Sequence, residues 1–271
     1  MTGGPTNSTT ALAGIQAVTL DFGNTLVRVD RAGLRRVVAE TAERVCARTG
    51  LPDREAFLAA WSDERARQFR EEVPRFREVD LEQRVVRVLA RLRGFLPPRS
   101  GETWNDAAAR ELTEPEEVAF AIDVYSRAFV AGLPPAPAAA GVLERLHNRG
   151  FRLAILSNWP LATTIDRYVE ASGWTAWLDA VVVSQRVGTI KPHPAIFLAA
   201  SAALGIGASK AMLHVGDDWA ADVVGARGVG WHVGYLRHRP LDSPLPSSER
   251  SPDVEPDFEL DDIADLDGHL A

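Results

Sequence analysis

The sequence predicts an α/β protein with a parallel sheet and an all-helical insertion, and three features lead to this fold class. Short apolar runs alternate with segments of helical periodicity from about residue 137 to residue 235. A separate apolar run, residues 15–21, precedes them by more than a hundred positions. The block between them, residues 31–131, carries apolar residues at helical spacing. Strands that alternate with helices form a parallel sheet with helices on both faces.

The individual elements follow in chain order. Residues 15–21 are predicted to form a buried strand, and residues 22–25 a turn. Proline clusters at 96–101 and 132–137 interrupt the helical block and end it. After it we expect a helix over 138–148, a strand over 151–157, a helix over 161–171, a strand over 180–184, a helix over 194–204, a strand over 212–217, a helix over 220–226 and a strand over 231–235. The Pro- and Ser-rich segment 240–256 is predicted to be a surface loop, and residues 257–260 a last short strand.

These elements predict a Rossmann-like parallel sheet core with an inserted all-helical cap domain. The core comprises residues 15–30 and 133–271, and the helical cap comprises residues 31–132. Residues 1–14 are small and polar, which predicts a flexible tail and not a signal peptide.

Composition excludes several classes of function. The 271 residues are 46% hydrophobic and 25% charged, which is typical of a soluble globular protein. A net charge of -7 argues against a nucleic-acid partner held by bulk electrostatics. No apolar run approaches the length of a membrane span. The single Cys46 excludes an intrachain disulfide and fits a reducing compartment, so we expect a cytoplasmic protein with neither membrane nor nucleic-acid partner.

Four polar residues lie at or just after the carboxyl ends of predicted strands, where parallel sheets bind ligands. They are Asp21, Ser157, Lys191 and Asp217. Ser157 and Lys191 are 34 positions apart, and Lys191 and Asp217 are 26 apart, each about one strand-helix-strand unit. The 136 positions from Asp21 to Ser157 exceed such a unit by the length of the helical block, which places that block over the site as a lid.

Each of these residues suits a definite chemical role. Asp21 can act as a nucleophile or a metal ligand, and Asp217 and Asp222 add carboxylate oxygens of the kind that Mg²⁺ prefers. Ser157 offers a hydroxyl donor, and Asn158 offers an amide. Lys191 is one of only two lysines beside 28 arginines, and its compact ammonium can neutralise an attacking carboxylate and a phosphate.

Four segments, in order, resemble the motifs of the haloacid dehalogenase-like hydrolases. They are Asp21-Phe22-Gly23-Asn24-Thr25-Leu26, Leu156-Ser157-Asn158, Val187-Gly188-Thr189-Ile190-Lys191-Pro192 and Gly216-Asp217-Asp218 with Asp222. The resemblance implies a hydrolase, most simply a phosphatase of a small phosphorylated metabolite, in which Asp21 forms an aspartyl-phosphate. It also implies Mg²⁺ held by Asp21, the Gly23 carbonyl and Asp217 with Asp222 in support. Phosphate is predicted to be held by Ser157, Asn158 and Lys191.

Gly23 departs from the phosphatase pattern, because phosphatases of this family usually carry a second Asp two positions after the nucleophile. Loss of a general acid/base typically costs about 10²–10⁴ in rate. Two alternatives therefore stay open beside the phosphatase: a haloacid dehalogenase-type hydrolase, which also lacks that Asp, and a phosphate-binding member with little turnover. A phosphonate-cleaving enzyme would need a cap lysine for a Schiff base, and residues 31–131 contain no lysine.

Other polar residues have structural interpretations. His214 lies within a strand and is predicted to be a satisfied core histidine. Trp159 and Trp219 are predicted to be packing residues. The arginines from 65 to 93 are interleaved with glutamates, which indicates a helix face of paired charges, of which a subset could meet an anionic substrate.

Overall fold

Within the computed structural model, which describes residues 11–51, 53–99 and 101–271, one sheet of six parallel strands runs in the order β3-β2-β1-β4-β5-β6. The strands are β1 (Ala17–Leu20), β2 (Arg152–Ser157), β3 (Ala180–Val183), β4 (Met212–Gly216), β5 (His232–Leu236) and β6 (Phe258–Leu260). The order reverses at β1, with β2 on one side of it and β4 on the other. This arrangement confirms the predicted fold class, and it opens a crevice at the carboxyl end of β1.

Helices cover the sheet and fill the connection between β1 and β2. The α-helices are α1 (Arg31–Thr49), α2 (Arg54–Glu72), α3 (Leu81–Leu92), α4 (Asp106–Arg110), α5 (Pro115–Gly132), α6 (Ala139–Asn148), α7 (Ala162–Ala171), α8 (Ser184–Val187), α9 (Pro194–Leu204) and α10 (Gly225–Gly228). Short 3₁₀ turns lie at Val73–Arg75, Trp174–Ala176, Ser209–Ala211 and Ile263–His269, and a π-helix at Trp219–Val224. The first five helices are consecutive, as the helical periodicity of residues 31–131 predicts.

Aspartates begin the long helices between β1 and β2. The side chains of Asp30, Asp53 and Asp80 precede α1, α2 and α3, and each accepts a hydrogen bond from the backbone N–H three residues on, at 2.5, 2.9 and 3.0 Å respectively. Such caps satisfy N–H groups that have no partner inside the helix. Asp80 thereby fixes where α3 starts, next to the core.

Alternation along the strands divides the buried side chains between two layers, one on each face of the sheet. Val18 and Leu20 of β1 face the layer that continues into the helices of residues 31–132, whereas Ala17 faces the layer of α9. Phe22 extends the first layer beyond the strand, since its ring lies 6.2 Å from that of Phe129 in α5. The helical block therefore packs directly against the segment that follows β1.

Two sequence-based expectations differ from the structure. The helix expected over 220–226 is a wider π-helical turn, Trp219–Val224, followed by the short α10. Residues 1–10 of the expected tail lie outside the described residues, but Leu12 is held, because its N–H donates to the His269 carbonyl at 2.8 Å.

Among the described residues, no helix has the length and apolarity needed to cross a membrane.

Candidate active site

The carboxyl ends of β2, β1 and β4 bring three of the expected residues together. Leu20 pairs in register with Ile155 on one side and Val215 on the other, so Asp21 and Ser157 follow at the same edge of the sheet. The Asp21 N–H donates to the Val215 carbonyl at 2.9 Å, which continues the ladder by one residue. Ser157 is buried at the end of β2. Asp217 directly follows β4 and is buried as well.

Lys191 reaches the same edge from the loop after α8. Its Nζ donates to Asp21 Oδ1 at 2.8 Å, to Asp222 Oδ1 at 2.6 Å and to the Leu156 carbonyl at 2.9 Å. Burial alone would lower the pKa of this ammonium, but the charges of Asp21 and Asp222 outweigh burial and raise the pKa above its ordinary value. Lys191 is therefore a fixed positive charge beside Asp21.

The side chain of Asn158 holds the backbone of Lys191. The Asn158 side chain donates from Nδ2 to the Lys191 carbonyl at 3.0 Å and accepts from the Lys191 N–H at 2.7 Å. Because both ends of the amide are engaged, the structure gives Asn158 a positioning role on the Lys191 loop. The phosphate contact that the motif predicts for Asn158 stays a prediction.

Both carboxylate oxygens of Asp222 have protein partners. Its Oδ1 contacts Lys191 Nζ and, at 3.0 Å, His214 Nε2, and its Oδ2 accepts from the Asp218 N–H at 2.8 Å. Burial would raise the pKa of Asp222, but the Lys191 charge and the His214 hydrogen bond lower it well below its ordinary value. A Cβ at Gly216 would collide with the Asp222 carboxylate, so this position requires glycine. Asp222 is therefore an anionic support for Lys191.

His214 has the structural role that the sequence predicts, and the Asp218 side chain caps a turn. His214 is buried, and its Nδ1 lies 2.8 Å from Thr19 Oγ1, so both ring nitrogens have partners. Asp218 caps the turn that follows it, because its Oδ1 accepts from the Ala221 N–H at 2.8 Å.

Asp21 and Asp217 carry negative charge that the protein does not fully neutralise. Together with Asp222 they offer carboxylate oxygens within 4.8 Å of one another. Burial raises the pKa of Asp21, with the Lys191 charge opposing it, and burial and the Asp21 and Asp222 charges raise the pKa of Asp217 well above its ordinary value. Asn24 Nδ2 contacts Asp217 Oδ2 at 3.2 Å, and Arg239 contacts the same oxygen at 3.3 Å. Two buried carboxylates with excess charge fit a hard divalent cation such as Mg²⁺.

A segment that the sequence analysis assigned to the surface covers this site. We call residues 239–248 the strap. Arg239 pairs with Asp217, Ser243 Oγ accepts from Asn24 Nδ2 at 3.1 Å, and Arg65 of α2 donates to the Pro244 carbonyl at 3.1 Å. Leu245 lies against Gly23, since a Cβ built on Gly23 would meet Leu245 Cδ1 at 2.5 Å. An apolar side chain thus fills the space beside the position where a second acid would stand.

Arg239, Ser243 and Leu245 were missed because proline and serine normally mark exposed loops. One signal was available in the sequence. The strap follows β5, whose carboxyl end lies at the same edge of the sheet as those of β1 and β4. A long segment leaving that edge is in position to cross the site.

The fold and the carboxylate-lysine cluster together define an α/β protein with a candidate active site at the switch point of its sheet. The sequence profile of the haloacid dehalogenase-like hydrolases matches residues 15–230, and the chain belongs to that family of hydrolases.

Relatives with assigned activities include both phosphatases and dehalogenases. A glyceraldehyde 3-phosphate phosphatase of Methanopyrus kandleri is 30% identical over 55% of this chain and 61% of its own length. A ribulose-1,5-bisphosphate 5-phosphatase of Halopiger xanaduensis is 38% identical over 40% of this chain and 44% of its own length. The matched segments thus span less than two thirds of either relative.

Solved structures support the fold. A 2-haloacid dehalogenase from Pseudomonas syringae pv. Tomato DC3000 superposes with a TM-score of 0.61 at 19% identity, covering 94% of this chain and 97% of the other. A phosphatase of this family from Thermococcus onnurineus gives a TM-score of 0.57 at 18% identity, with 94% and 97% covered.

Proposed function

We propose that this chain is a Mg²⁺-dependent phosphatase of a small phosphorylated metabolite, with Asp21 as its nucleophile. The proposal depends on the charges of this cluster. Lys191 pairs with both Asp21 and Asp222, and the three buried carboxylates Asp21, Asp217 and Asp222 carry more negative charge than their cationic partners offset. A site that prepares a carboxylate for attack and also attracts a cation suits phosphoryl transfer. The names of the two phosphatase relatives agree with this chemistry.

Each residue has a part in the proposed reaction. A carboxylate oxygen of Asp21 attacks phosphorus, the ester P–O bond breaks, and water later hydrolyses the aspartyl-phosphate. Lys191 offsets the charge of the attacking carboxylate, and the Ser157 hydroxyl is proposed to donate to a phosphate oxygen. Mg²⁺, held by Asp21, Asp217 and the Gly23 carbonyl, would supply Lewis-acid polarisation of the phosphoryl group. Asp222 and Asn158 keep Lys191 in place.

Residues 31–132 are proposed to act as a cap over this centre. The Phe76 carbonyl accepts from the Ile190 N–H at 3.1 Å, and the Leu81 N–H donates to the Pro160 carbonyl at 3.1 Å. Ser184 Oγ also donates to the Glu78 carboxylate. These contacts join the helical block to the core loops that carry Lys191 and Ser157, so movement of the block would expose or cover the site.

A phosphate-release screen over sugar, acyl and hydroxy-acid phosphates tests the proposed function. Release is expected in Mg²⁺ and is expected to stop when EDTA removes the metal. Halide release from 2-haloacids that persists in EDTA would instead establish a dehalogenase. Binding of phosphate without turnover of any ester would establish a binding protein.

The dehalogenase alternative is favoured by one observation, the apolar contact of Leu245 with Gly23. That contact leaves no acid in the place where a phosphatase of this family usually has one. The buried Asp217 beside Asp21 favours the metal-dependent reaction, because a metal-free reaction has no use for a second buried carboxylate.

A double variant tests whether the missing acid limits turnover. In the single variant Gly23→Asp the new side chain would clash with Leu245, so the variant is made together with Leu245→Ala. Phosphatase kcat/KM is expected to rise about tenfold or more over Leu245→Ala, since a general acid/base contributes roughly 10²–10⁴. The matched control is Gly23→Asn with Leu245→Ala, which has the same shape but transfers no proton. Equal rates for the Asp and Asn variants would show that the leaving group takes its proton from another source.

A further inference from the structure

Several arginines of residues 65–93 form no ion pair within the described part of the chain; Arg70 and Arg75 are exposed, whereas Arg65 and Arg84 are shielded from solvent. Arg67, Arg87, Arg91 and Arg93 each pair with a carboxylate, as the interleaved charges of the sequence predict. Among the residues that the structure describes, Arg65 and Arg84 form no ion pair within 4.0 Å. An unpaired guanidinium is ordinary on a surface but costly in an interior.

Arg84 is an interior residue with unused hydrogen-bonding capacity. It is 4% exposed, and its Nε donates to Gln68 Oε1 at 2.9 Å. Its Nη2 is buried and has no hydrogen-bond partner in the described part of the chain. Burial lowers the pKa of Arg84 to about 10, which leaves it charged at neutral pH.

The acids near Arg84 already hold other partners. Glu64 accepts from Arg91 Nη1 at 3.0 Å and from Trp104 Nε1 at 2.9 Å. Glu78 accepts from the Val79 N–H at 2.8 Å and from Ser184 Oγ. Neither acid makes a hydrogen bond with Arg84, so its free N–H groups remain available to a ligand anion.

Two contacts connect the helices that carry Arg84 and Arg65 to segments around the candidate site. Leu81, one helical turn before Arg84, donates to the Pro160 carbonyl, two residues beyond Asn158. Arg65 holds the Pro244 carbonyl of the strap, and the next strap residue, Leu245, lies against Gly23. The Trp61 ring lies 5.4 Å from Arg84 Cζ. Arg65 thus contacts the strap directly, and Arg84 lies on the helix whose first residue contacts the segment after Ser157.

We infer that Arg84, with Arg65, binds a second anionic group of the substrate. The inference rests on the proposed function, and it narrows the substrate to phosphate esters that also carry a carboxylate or another phosphate. A guanidinium presents a planar set of donors that matches either anion. The strap that now contacts Arg65 would be displaced, or would rearrange, around such a substrate.

Three esters with one two-carbon skeleton test this inference: phosphoglycolate, ethylene glycol bisphosphate and 2-hydroxyethyl phosphate. Wild-type kcat/KM is expected to be higher for one or both of the first two, and which one shows whether the site takes carboxylate or phosphate. Arg84→Gln is expected to reduce that preference about ten- to hundredfold, the usual effect of losing a charge-assisted hydrogen bond. Arg84→Lys keeps the charge and is expected to retain part of the preference.

The matched control is Arg87→Gln, one turn further along α3. Arg87 is also buried, but its guanidinium is already held by Asp106, with Nε–Oδ1 at 2.8 Å and Nη2–Oδ2 at 3.0 Å. We expect this variant to keep the wild-type preference among the three esters. If Arg84→Gln fails to fold in a thermal melt, Arg65→Gln serves as the second variant, with the same expected loss of preference.

Calorimetric binding of phosphoglycolate to Asp21→Asn protein separates this inference from the proposed function. Adding Arg84→Gln to Asp21→Asn is expected to weaken binding about ten- to hundredfold. If no ester is hydrolysed but Arg84→Gln still weakens binding, the phosphatase proposal fails and the anion subsite stands. Hydrolysis with an unchanged preference in both Arg84→Gln and Arg65→Gln would overturn the subsite while leaving the phosphatase intact.

Discussion

Asp21→Asn is expected to abolish phosphate release, by about 10⁴-fold or more, from every ester that the wild-type protein hydrolyses. An amide cannot form the acyl-phosphate bond, whereas its size and its ability to accept from Lys191 Nζ match those of the carboxylate. Single-turnover phosphate release, measured with enzyme in excess, checks this result. Wild-type rates in the variant would remove Asp21 as the nucleophile.

Stability measurements show whether Asp21→Asn acts on chemistry alone. In EDTA at neutral pH the free energy of unfolding is expected to equal or exceed that of the wild type. Burial raises the pKa of Asp21 in the folded state. The free energy of unfolding therefore falls as the pH rises from the pKa of this group in the unfolded chain to its pKa in the folded protein, and the loss is complete above both. An asparagine does not titrate and avoids this loss. The matched control is Asp218→Asn. Asp218 is a neighbouring acid whose carboxylate caps a turn, and its replacement should preserve turnover.

Lys191→Met is expected to damage both activity and stability. Removing the ammonium leaves Asp222 buried without its main countercharge, and breaking a buried pair in this way typically costs about 3–5 kcal/mol. In protein that remains folded, kcat/KM is expected to fall about 10²–10³-fold, the usual effect of removing one electrostatic stabiliser of the transition state. Urea unfolding and initial rates measure the two effects separately.

Two further variants identify the cause of the Lys191→Met effects. Lys210→Met changes the only other lysine, which is exposed, and should alter neither stability nor rate. Adding Asp222→Asn to Lys191→Met removes the unpaired charge and is expected to restore part of the lost stability without restoring activity. A double variant as unstable as Lys191→Met would show that packing of the lysine stem, and not charge, supports the core.

The sequence alone was sufficient to predict the sheet and the central residues of the site. Strand length and apolar continuity are local properties, so the strand ending near Asp21 and the strand ending at Ser157 could be predicted without tertiary contacts. Parallel strands place their carboxyl ends at one edge, which brings Asp21 and Asp217 together once their strands are assigned. The π-helical turn at Trp219–Val224 was not predicted, because a wider turn has the same apolar pattern as a short α-helix.

Tertiary structure decided which polar groups have partners, because pairing depends on contacts between residues far apart in the chain. Arg84 and Arg87 are indistinguishable by sequence pattern, yet Asp106 neutralises one and no described carboxylate pairs with the other. By sequence pattern, Asn158 is a candidate ligand-binding amide, and only the structure shows that its side chain makes two hydrogen bonds to the Lys191 backbone. The sequence of the strap is that of an ordinary polar loop. Its path over Gly23 follows from where β5 ends, next to β4 and Asp217. Periodicity therefore determined the scaffold and the position of Asp21, whereas long-range contacts determined what lies over the candidate site and which charged groups have partners.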